Sequence, residues 1–337
     1  MNIALLLGGL SPERNISLIS GRAVTKALRA MGHTVHPIDP ASGLLSDADL
    51  EQATAAPVSS EWLATADHTS IARLASIAEI KNADIVYNVL HGKYGEDGYV
   101  QAILDLHGIK YTGSGMIASA IAMDKAMSKM LFAVGGIPTP HWVTVKPDQA
   151  TDEQVLNEVR RELGSTIVVK PNDQGSTVGM TIVSSGVLED ISEAITKAAA
   201  YSETILIEQY IPGRELTVAV LGNDALPVIE IAPQDGFYDY QHKYTKGETQ
   251  YYCPADISEE VRDHIMNLAV TAHQILGCKA ISRVDFRLNE DNIPVCLEVN
   301  TSPGFTELSL FPMAAREAGI EFGPLCEEII RLSQETH

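Results

Sequence analysis

Cysteine is scarce in this sequence, with four residues among 337. Cys253, Cys278, Cys296 and Cys326 are too far apart to form a CxxC pair, the spacing typical of zinc and redox sites. The sequence therefore indicates neither a zinc site nor a disulfide framework. Free thiols fit a reducing compartment, and we expect the protein to work in the cytoplasm.

Long apolar runs and basic residues are also few. No stretch approaches the roughly 20 apolar residues of a membrane-spanning helix, and residues 1–9 lack the basic start of a signal peptide. Lys and Arg total 24 against 44 Asp and Glu, a net charge of −20. We therefore expect neither a nucleic acid nor a membrane as partner, since both need a basic face. A negatively charged substrate would need a local cluster of Lys and Arg.

Two common nucleotide-binding signatures are missing. The chain has no GxxxxGK[ST] loop, and no GxGxxG follows its first apolar run, residues 3–7. That run and the glycines after it leave a nicotinamide dehydrogenase as a remote alternative. No acidic residue ends the second predicted strand where such an enzyme requires it, which argues against this alternative.

A predicted β-hairpin near the C-terminus carries most of the polar chemistry. Residues 281–288 and 293–300 alternate apolar with polar, and the turn formers 289–292 separate them. Since side chains alternate faces along a strand, the apolar positions should face a core. The opposite face then carries Arg283, Asp285, Glu298 and Asn300.

The pairing of this hairpin decides what its polar face can do. If Leu288 pairs with Ile293, Arg283 lies opposite Glu298, and Asp285 sits one diagonal step from Glu298. Two carboxylates and an amide so placed suit a hard cation such as Mg²⁺ bound together with substrate phosphates. A solvated strand face with an Arg–Glu pair is the alternative. The turn 301–304 that follows can offer the Gly304 N–H to a developing oxyanion.

The N-terminal third has a βαβ pattern. Strands are predicted at residues 3–7, 34–38 and 84–90, with a helix from 13 to 31, which implies a parallel α/β domain. Loops at the carboxyl ends of parallel strands bind ligands, so His91 and Glu13 are candidate site residues. A lone His is more often structural, and Glu13 could equally be a first-turn acid favoured by the helix dipole.

Two further segments have the composition of binding loops. Lys170 ends a buried-type strand, and the Gly- and Ser-rich residues 172–179 after it would let backbone N–H groups approach a phosphate. A flexible hairpin loop is the alternative there. Residues 233–254 have no clear period but many Tyr, Asp, Lys and Gly, as in a lid or binding loop.

Taken in order along the chain, these signals resemble one family. The segments that carry the resemblance are residues 8–14, 91–98, 111–115, 123–125, 169–171, 175–179, 237–240, 243–244, 283–285 and 298–304. In this pattern the chain resembles the D-alanine–D-alanine ligases of the ATP-grasp superfamily, over nearly its whole length apart from residues 41–80.

The resemblance implies an α/β fold with α+β elements, in a three-domain ATP-grasp architecture. The expected domains are an N-terminal parallel α/β (pre-ATP-grasp) substrate domain, a central domain, and a C-terminal domain with lid loop and metal site, at residues 1–95, 96–187 and 188–337. It also implies that ATP phosphorylates one D-alanine to an acyl phosphate, which the amine of a second D-alanine attacks, for peptidoglycan precursor synthesis. Expected ligands are ATP and two Mg²⁺ ions, or Mn²⁺ in their place, and the expected assembly is a homodimer.

The resemblance also implies roles for the nucleotide-binding residues. Three lysines would meet the ATP phosphates: Lys125, Lys170 and Lys243. Three residues would face adenine: Glu208, Gln209 and Tyr210. Glu215 would bind the ribose, and the Mg²⁺ ligands would be Asp285, Glu298 and Asn300.

The remaining carried-over roles concern the amino acids. Glu13 would hold the ammonium of the first D-alanine, with His91 nearby, and Arg283 with the Gly304 N–H would stabilise the oxyanion. The residues that would link Glu13 to the lid are Ser176 and Tyr244. Ser309 would bind the carboxylate of the second substrate.

Two positions bear on the second substrate. Relatives that make the D-alanine–D-lactate ester carry Phe where this chain has Tyr244, so Tyr244 favours the dipeptide. Glu307 and Leu308 depart from the small or polar residues usual before Ser309; an acid there could repel the incoming carboxylate or point to solvent. Alternatives are an ATP-grasp ligase that uses D-serine or D-lactate as second substrate and, more remotely, a non-catalytic nucleotide-binding protein.

Overall fold

Three β-sheets organise the part of the chain that the computed structural model describes, residues 1–55, 58–233 and 249–336. The first sheet has strand order β3-β2-β1-β4, and β1 runs parallel to both β2 and β4. Its strands are β1 Asn2–Leu6, β2 Thr34–Asp39, β3 Gly43–Leu44 and β4 Ile85–Asn88. Residues 3–7 are fully buried because apolar clusters cover both faces of the sheet. The predicted parallel α/β unit is therefore confirmed.

Helices connect the strands of this sheet, and three more helices follow its last strand, β4. Helix α1, Arg14–Ala30, connects β1 to β2, and short helices fill the segment between β3 and β4: α2 Asp47–Ala55, α3 Ser60–Thr65, a 3₁₀ helix His68–Ser76 and α4 Ala78–Lys81. Three helices follow β4: α5 Tyr99–Leu106, α6 Met116–Met123 and α7 Lys125–Val134. The Asp124 side chain caps α7 by accepting a hydrogen bond from the Met127 N–H, which places Lys125 in the first turn.

The second sheet is antiparallel, with strand order β5-β8-β6-β7. Its strands are β5 Trp142–Val145, β6 Ile167–Pro171, β7 Thr181–Val183 and β8 Ile205–Gln209. Helices α8 Glu153–Leu163 and α9 Leu188–Ala199 share its apolar core, and a 3₁₀ turn spans Pro147–Gln149. Strand β8 lies beyond residue 187, where we expect a domain boundary. The division into three domains stays a prediction.

The third sheet follows the path β12-β11-β9-β13-β14, with β10 paired to β9. Its strands are β9 Arg214–Leu221, β10 Asp224–Ala225, β11 Ile229–Pro233, β12 Thr249–Tyr252, β13 Ile281–Leu288 and β14 Pro294–Asn300. Helix α10, Glu259–Ile275, packs on one face of this sheet, and the chain closes with α11 Leu310–Glu317 and α12 Phe322–Thr336. The opposite face near β13 is left to polar side chains.

The β13–β14 hairpin forms where predicted, but its predicted register is wrong. Leu288 pairs with Pro294, not with Ile293. The Asn289 side chain explains the difference, since its Oδ1 accepts hydrogen bonds from the N–H groups of Asp291 and Ile293 and draws Ile293 into the turn. Ile293 is consequently 47% exposed instead of lying in the core.

A β-bulge then changes the phase of β14. The register shifts between Asp285 and Phe286: Asp285 lies opposite Glu298, whereas Phe286 lies opposite Cys296, which leaves Leu297 without a partner. Before the bulge Cys296 is the core residue, and after it Val299 is. As a result Glu298 emerges directly across from Asp285, not on the predicted diagonal.

No helix in the described ranges combines the length and apolar character required to cross a membrane.

Candidate active site

Asp285 is the centre of the polar face that β13 shares with its neighbours. Its carboxylate accepts two hydrogen bonds from Arg283, at 2.9 Å from Nε and 2.7 Å from a terminal nitrogen. Thr217 on β9 donates its hydroxyl at 2.6 Å, and the Asn300 amide donates at 3.0 Å. The structure thus brings Arg283, Asp285 and Asn300 together as predicted, and adds Thr217, whose pairing across β9 no local pattern reveals.

Glu298 completes this face and connects it to the second sheet. The Lys125 ammonium lies 3.3 Å from the Glu298 carboxylate and donates a hydrogen bond to the Gln174 carbonyl at 2.7 Å. Lys125 therefore bridges the carboxylate strand and the Gly- and Ser-rich loop 172–179. The Arg–Glu pair considered for an inert strand face is not the pairing observed, because Arg283 pairs with Asp285 instead.

Lys170 points from β6 toward Glu208 on β8, with 2.5 Å between ammonium and carboxylate. A second lysine, Lys129 of α7, lies 2.8 Å from the other oxygen of Glu208. Burial alone would raise the pKa of Glu208, yet the two ammonium groups hold that pKa below its ordinary value. Burial acts to lower the pKa of Lys170, but the carboxylates of Glu208 and Glu298 outweigh it and raise that pKa. The Glu208 side chain is thus committed to lysines, and sequence reasoning missed Lys129.

The adenine- and ribose-side candidates lie where β8 of the second sheet leads into β9 of the third: Gln209 ends β8, Tyr210 follows it, and Glu215 is on β9. Arg287 on β13 lies across from Glu215 on β9, with 3.5 Å between the charged groups. Its guanidinium is 5.8 Å from the centre of the Tyr210 ring and donates to the Gly213 carbonyl at 2.6 Å. Arg287 therefore orients both Tyr210 and Glu215, while Gln209 is exposed. The alternation of β13 already put Arg287 on the polar face, a signal that we did not use.

Glu13 and Ser176 meet although they come from the first and second sheets. The Ser176 hydroxyl donates a short hydrogen bond to Glu13 Oε1. Gly92 and Gly175 make room for this carboxylate, since a Cβ on Gly92 would lie 2.7 Å from Glu13 Oε2 and one on Gly175 would lie 3.1 Å from it. Gly92 also has a φ of +67°, which favours glycine. The backbone at Gly92 and Gly175 therefore packs closely around the Glu13 carboxylate.

A buried ion pair holds the loop that carries Glu13. Arg14 and Asp39 lie 2.5 Å apart and are both buried, and the Gly9 N–H also donates to Asp39. The ring of Trp62 in α3 lies 4.8 Å from the Arg14 guanidinium carbon, as in a cation–π contact. Residues 41–80, to which we assign no chemistry from sequence, therefore supply a support for the Glu13 loop.

His91 is buried between the first and third sheets. Its Nδ1–H donates to the Ser302 carbonyl at 2.9 Å, because a carbonyl can only accept. The other ring nitrogen, Nε2, is buried and has no hydrogen-bond partner among the described residues. Burial lowers the pKa of His91, although Glu13 acts to raise it. The neutral ring thus keeps a free lone pair on Nε2.

Glu96 is a buried carboxyl close to the half-buried Glu13, and sequence reasoning did not select it. Its Oε1 accepts a hydrogen bond from the Gly92 N–H at 2.9 Å, so that Glu13 and Glu96 flank Gly92 on two sides. Burial, and then the negative charge of Glu13, raise the pKa of Glu96 to about 8. Its place in the segment 91–98 was the available signal.

The turn after β14 ends at Ser309, the residue just before α11. The Ser309 hydroxyl accepts a hydrogen bond from the Thr306 N–H at 3.0 Å, and a Cβ on Gly304 would lie 3.4 Å from Ser309 Oγ. Gly304 and Ser309 therefore share one small space at a helix N-terminus, where anions are favoured. Glu307 is exposed and Leu308 is 78% exposed, which favours the solvent-facing interpretation of the Glu307 departure. Lys243 and Tyr244 lie outside the described residues.

The chain matches two family descriptions that together cover most of its length. Residues 2–114 match "D-ala D-ala ligase N-terminus", and residues 131–331 match "D-ala D-ala ligase C-terminus". The chain belongs to the D-alanine–D-alanine ligase family. The resemblance stated from the motifs is confirmed.

Relatives in this family match the chain from end to end. A D-alanine–D-alanine ligase of Nitrosospira multiformis is 42% identical over 98% of this chain and 96% of its own. One of Bordetella petrii is 41% identical over 97% and 90%. This level of identity over the whole length confirms the ligase assignment and argues against a dehydrogenase. The sequence argument that no acidic residue ends the second strand was wrong, because Asp39 ends β2.

Solved structures of the family share the fold. A D-alanine–D-alanine ligase of Bacillus anthracis, described as complexed with ATP, has a TM-score of 0.77 and 28% identity, covering 100% of this chain and 98% of that one. The VanG D-Ala:D-Ser ligase of Enterococcus faecalis has a TM-score of 0.81 and 31% identity, covering 98% of each. The predicted ATP-grasp fold class is confirmed.

The ligase's carboxylate face fits a divalent metal ion by its donor chemistry. The described residues contain no cluster of three or more His, Cys, Asp and Glu side chains that could hold a metal. The predicted set instead combines the carboxylates of Asp285 and Glu298 with the Asn300 amide, all on paired strand positions. An all-oxygen set with two carboxylates leaves further positions for phosphate oxygens and water, as Mg²⁺ prefers.

Proposed function

We propose that this protein joins two D-alanine molecules into D-alanyl-D-alanine while converting ATP to ADP and phosphate. The match to the ligase family along nearly the whole chain carries this proposal. A carboxylate is a poor electrophile. Transfer of the ATP γ-phosphoryl group to a carboxylate oxygen makes an acyl phosphate, from which phosphate can leave.

The nucleotide lies between the second and third sheets. Lys125 and Lys170 bind its phosphates, together with Lys243 of the lid, while Gln209 and Tyr210 line the adenine side and Glu215 binds the ribose. Glu208, which the resemblance placed beside adenine, is instead buried and held by Lys129 and Lys170. The bridge that Lys125 makes between the 172–179 loop and Glu298 supports this placement. The Bacillus anthracis relative described as complexed with ATP supports the identity of the nucleotide.

Asp285, Glu298 and Asn300 would hold Mg²⁺, with two ions as the expected number. When bound, the metal supplies positive charge at the phosphate oxygens. The protein's own part is to orient these ligands: Thr217 and Arg283 fix both oxygens of Asp285.

The first D-alanine binds with its ammonium at Glu13. Ser176 fixes the direction of the Glu13 carboxylate, and the backbone around Gly92 and Gly175 leaves space only for small neighbours. The neutral carboxyl of Glu96 adds no second negative charge below its pKa of about 8. The ammonium of D-alanine therefore pairs with one negative charge, that of Glu13.

The joining step forms a C–N bond and breaks the C–O bond to phosphate. The amine nitrogen of the second D-alanine attacks the acyl carbon, and negative charge develops on the acyl oxygen. Arg283 and the Gly304 N–H stabilise that oxygen. The amine must also lose a proton, and the free Nε2 lone pair of His91 supports a role for His91 in accepting it.

The carboxylate of the second D-alanine binds at Ser309 and the start of α11. The solvent-facing position of Glu307 supports this, because an inward acid would repel the substrate. From the family resemblance, Tyr244 favours the dipeptide, and we expect Tyr244→Phe to increase use of D-lactate. The VanG relative is described as a D-Ala:D-Ser ligase, so D-serine is the second acceptor to test.

The proposal is tested by measuring phosphate release and identifying the product by mass spectrometry. The purified protein, ATP and Mg²⁺ are combined separately with D-alanine, L-alanine, D-alanine plus D-serine, and D-alanine plus D-lactate. We expect ADP, phosphate and D-alanyl-D-alanine with D-alanine alone, and no reaction with L-alanine. Activity restricted to L-amino acids would refute the proposal. The role in peptidoglycan precursor synthesis follows from membership of the ligase family. The cytoplasmic location and the homodimer stay predictions.

A further inference from the structure

Lys129 is a lysine whose ammonium is sealed inside the protein. It lies on α7 and is 0% exposed. Its ammonium lies 2.8 Å from Glu208 Oε2 and donates to the Thr139 hydroxyl at 2.9 Å. A fully buried ammonium is costly unless it is paired and hydrogen-bonded, and both partners are present here. Neither the motif pattern nor the proposed reaction gives this lysine a role.

The ion pair between Lys129 and Glu208 bears on how strongly Glu208 attracts Lys170. Glu208 receives Lys129 on one oxygen and Lys170 on the other. The cluster of Lys129, Lys170 and Glu208 has two ammonium groups and one carboxylate, and therefore a formal charge of +1. The excess positive charge lets Lys170 attract an anion. Without Lys129, Glu208 and Lys170 would form a closed neutral pair. A phosphate would then have to compete with Glu208 for Lys170.

The hydrogen bond from Lys129 to Thr139 connects this lysine to β14, the strand that carries Glu298. The Thr139 hydroxyl, which accepts from Lys129, donates to the Cys296 carbonyl at 2.8 Å. The Cys296 N–H in turn donates to the Pro138 carbonyl at 2.7 Å. Cys296 precedes the bulge and lies two residues before Glu298 on β14. Lys129 is therefore two hydrogen bonds away from the strand that carries a proposed metal ligand.

We propose that Lys129 is a positioning residue for nucleotide binding, which shares the charge of Glu208 so that Lys170 can engage phosphate and which ties the second sheet to β14. The proposal rests on the proposed function, in which Lys170 meets the ATP phosphates. Lys129 itself touches no substrate. Its effect is exerted through Glu208 on one side and Thr139 on the other.

The test compares variants that change the charge of this cluster. Lys129→Met sets the formal charge to zero, and the double variant Lys129→Met with Glu208→Gln returns it to +1 through Lys170 alone. Lys146→Met is the matched control, because Lys146 is an exposed lysine of the same sheet region that donates to Thr204. ATP affinity is measured in Mg²⁺ from the ATP-dependent shift in melting temperature, beside the KM values for ATP and D-alanine.

If Lys129 acts through Glu208, Lys129→Met weakens ATP binding by about tenfold or more. The KM for D-alanine should stay within about twofold, and the double variant should recover most of the ATP affinity. A purely structural lysine would lower the melting temperature without this recovery. A folded Lys129→Met protein with unchanged ATP affinity would overturn the proposal, as would a double variant that binds ATP no better than Lys129→Met.

If Lys129→Met does not fold, the double variant decides, because it removes both buried charges together. ATP affinity near that of the unmodified protein then supports the charge-sharing role, and a loss of about tenfold or more overturns it. Failure of the proposed function is distinguishable. An unmodified protein that binds ATP but forms no D-alanyl-D-alanine refutes the ligation while leaving the binding comparison valid.

Discussion

The Ser176 hydroxyl donates a hydrogen bond to the Glu13 carboxylate, although the two residues are 163 positions apart in the chain. Glu13 follows the first strand of the parallel sheet, and Ser176 belongs to the loop after β6. The residue proposed to bind the first substrate is therefore oriented by a different structural unit. The loop after β6 thus helps to set the direction of the Glu13 carboxylate.

Ser176→Ala should weaken binding of the first D-alanine, because Glu13 loses the donor that fixes its direction. A hydrogen bond to a charged group contributes about 1.5–3 kcal/mol, so the KM for the first D-alanine should rise roughly 10–100-fold. Steady-state kinetics at saturating ATP measure this. Ser185→Ala is the control, since Ser185 makes a similar bond to Asp190 on the exposed surface. A KM equal to that of the control would contradict the role.

Asp285→Asn and Glu298→Gln should each remove most Mg²⁺-dependent turnover while leaving the protein folded. Both side chains lie on the polar face of the hairpin, whereas its apolar face packs in the core independently of them. We expect a fall in kcat on the order of a hundredfold or more. Phosphate release across a range of Mg²⁺ concentrations and a thermal melt measure the two effects.

The hairpin offers a control for these substitutions in Asp291, an exposed acid of its turn. Asp291→Asn should leave turnover unchanged at every Mg²⁺ concentration. Turnover at the unmodified rate in either Asp285→Asn or Glu298→Gln would refute the metal assignment.

Glu96 should make the protein less stable as the pH rises from 6 to 9. Its pKa is raised to about 8 in the folded protein from 4.5, so the folded state holds the proton more tightly than the unfolded state. Its stabilising contribution is complete below the unfolded pKa and declines as the pH rises through the folded one. Between pH 6 and 9 the loss is about 2–3 kcal/mol.

The comparison that isolates this effect is between the unmodified protein and Glu96→Gln, which keeps the shape and removes the titration. Urea unfolding at pH 6 and at pH 9 gives the free energy of unfolding for both proteins. The pH-dependent loss should be smaller in Glu96→Gln by about the amount above. Parallel pH dependence in the two proteins would show that Glu96 does not titrate in this range.

Trp62→Ala should loosen the loop that carries Glu13. The Trp62 ring covers the buried Arg14–Asp39 pair, and cation–π contacts contribute about 0.5–2 kcal/mol. We expect the free energy of unfolding to fall by at least about that amount and the KM for the first D-alanine to rise. Trp62→Phe, which keeps an aromatic face, should retain most of both. Identical kinetics in Trp62→Ala and the unmodified protein would limit Trp62 to a role in stability.

Local pattern was sufficient for the elements that carry the site. The alternation in residues 281–288 predicted β13 and its polar face, and the apolar run at 3–7 predicted the buried parallel strand. The motif order predicted the family. Each of these signals is contained in a short stretch of sequence, and the fold did not override it.

Side-chain hydrogen bonds within a turn, and contacts between segments far apart in the chain, were not predictable in this way. The Asn289 side chain moves the register by one residue, and the bulge leaves Leu297 without a partner on β13. Lys129 has the spacing of an ordinary helical lysine, and only the packing of α7 against the third sheet, with the ion pair to Glu208 on β8, shows that it is buried. The carboxyl of Glu96 likewise owes its raised pKa to neighbours that the motif does not name.

The bulge in β14 means that its seven residues lie opposite six residues of β13. If the same strand continued in regular pairing beyond Cys296, side-chain alternation would turn Glu298 and Asn300 toward the apolar interior and Val299 toward the polar face. An engineer who transplants these carboxylates into another scaffold must therefore copy the unequal strand lengths along with the residues.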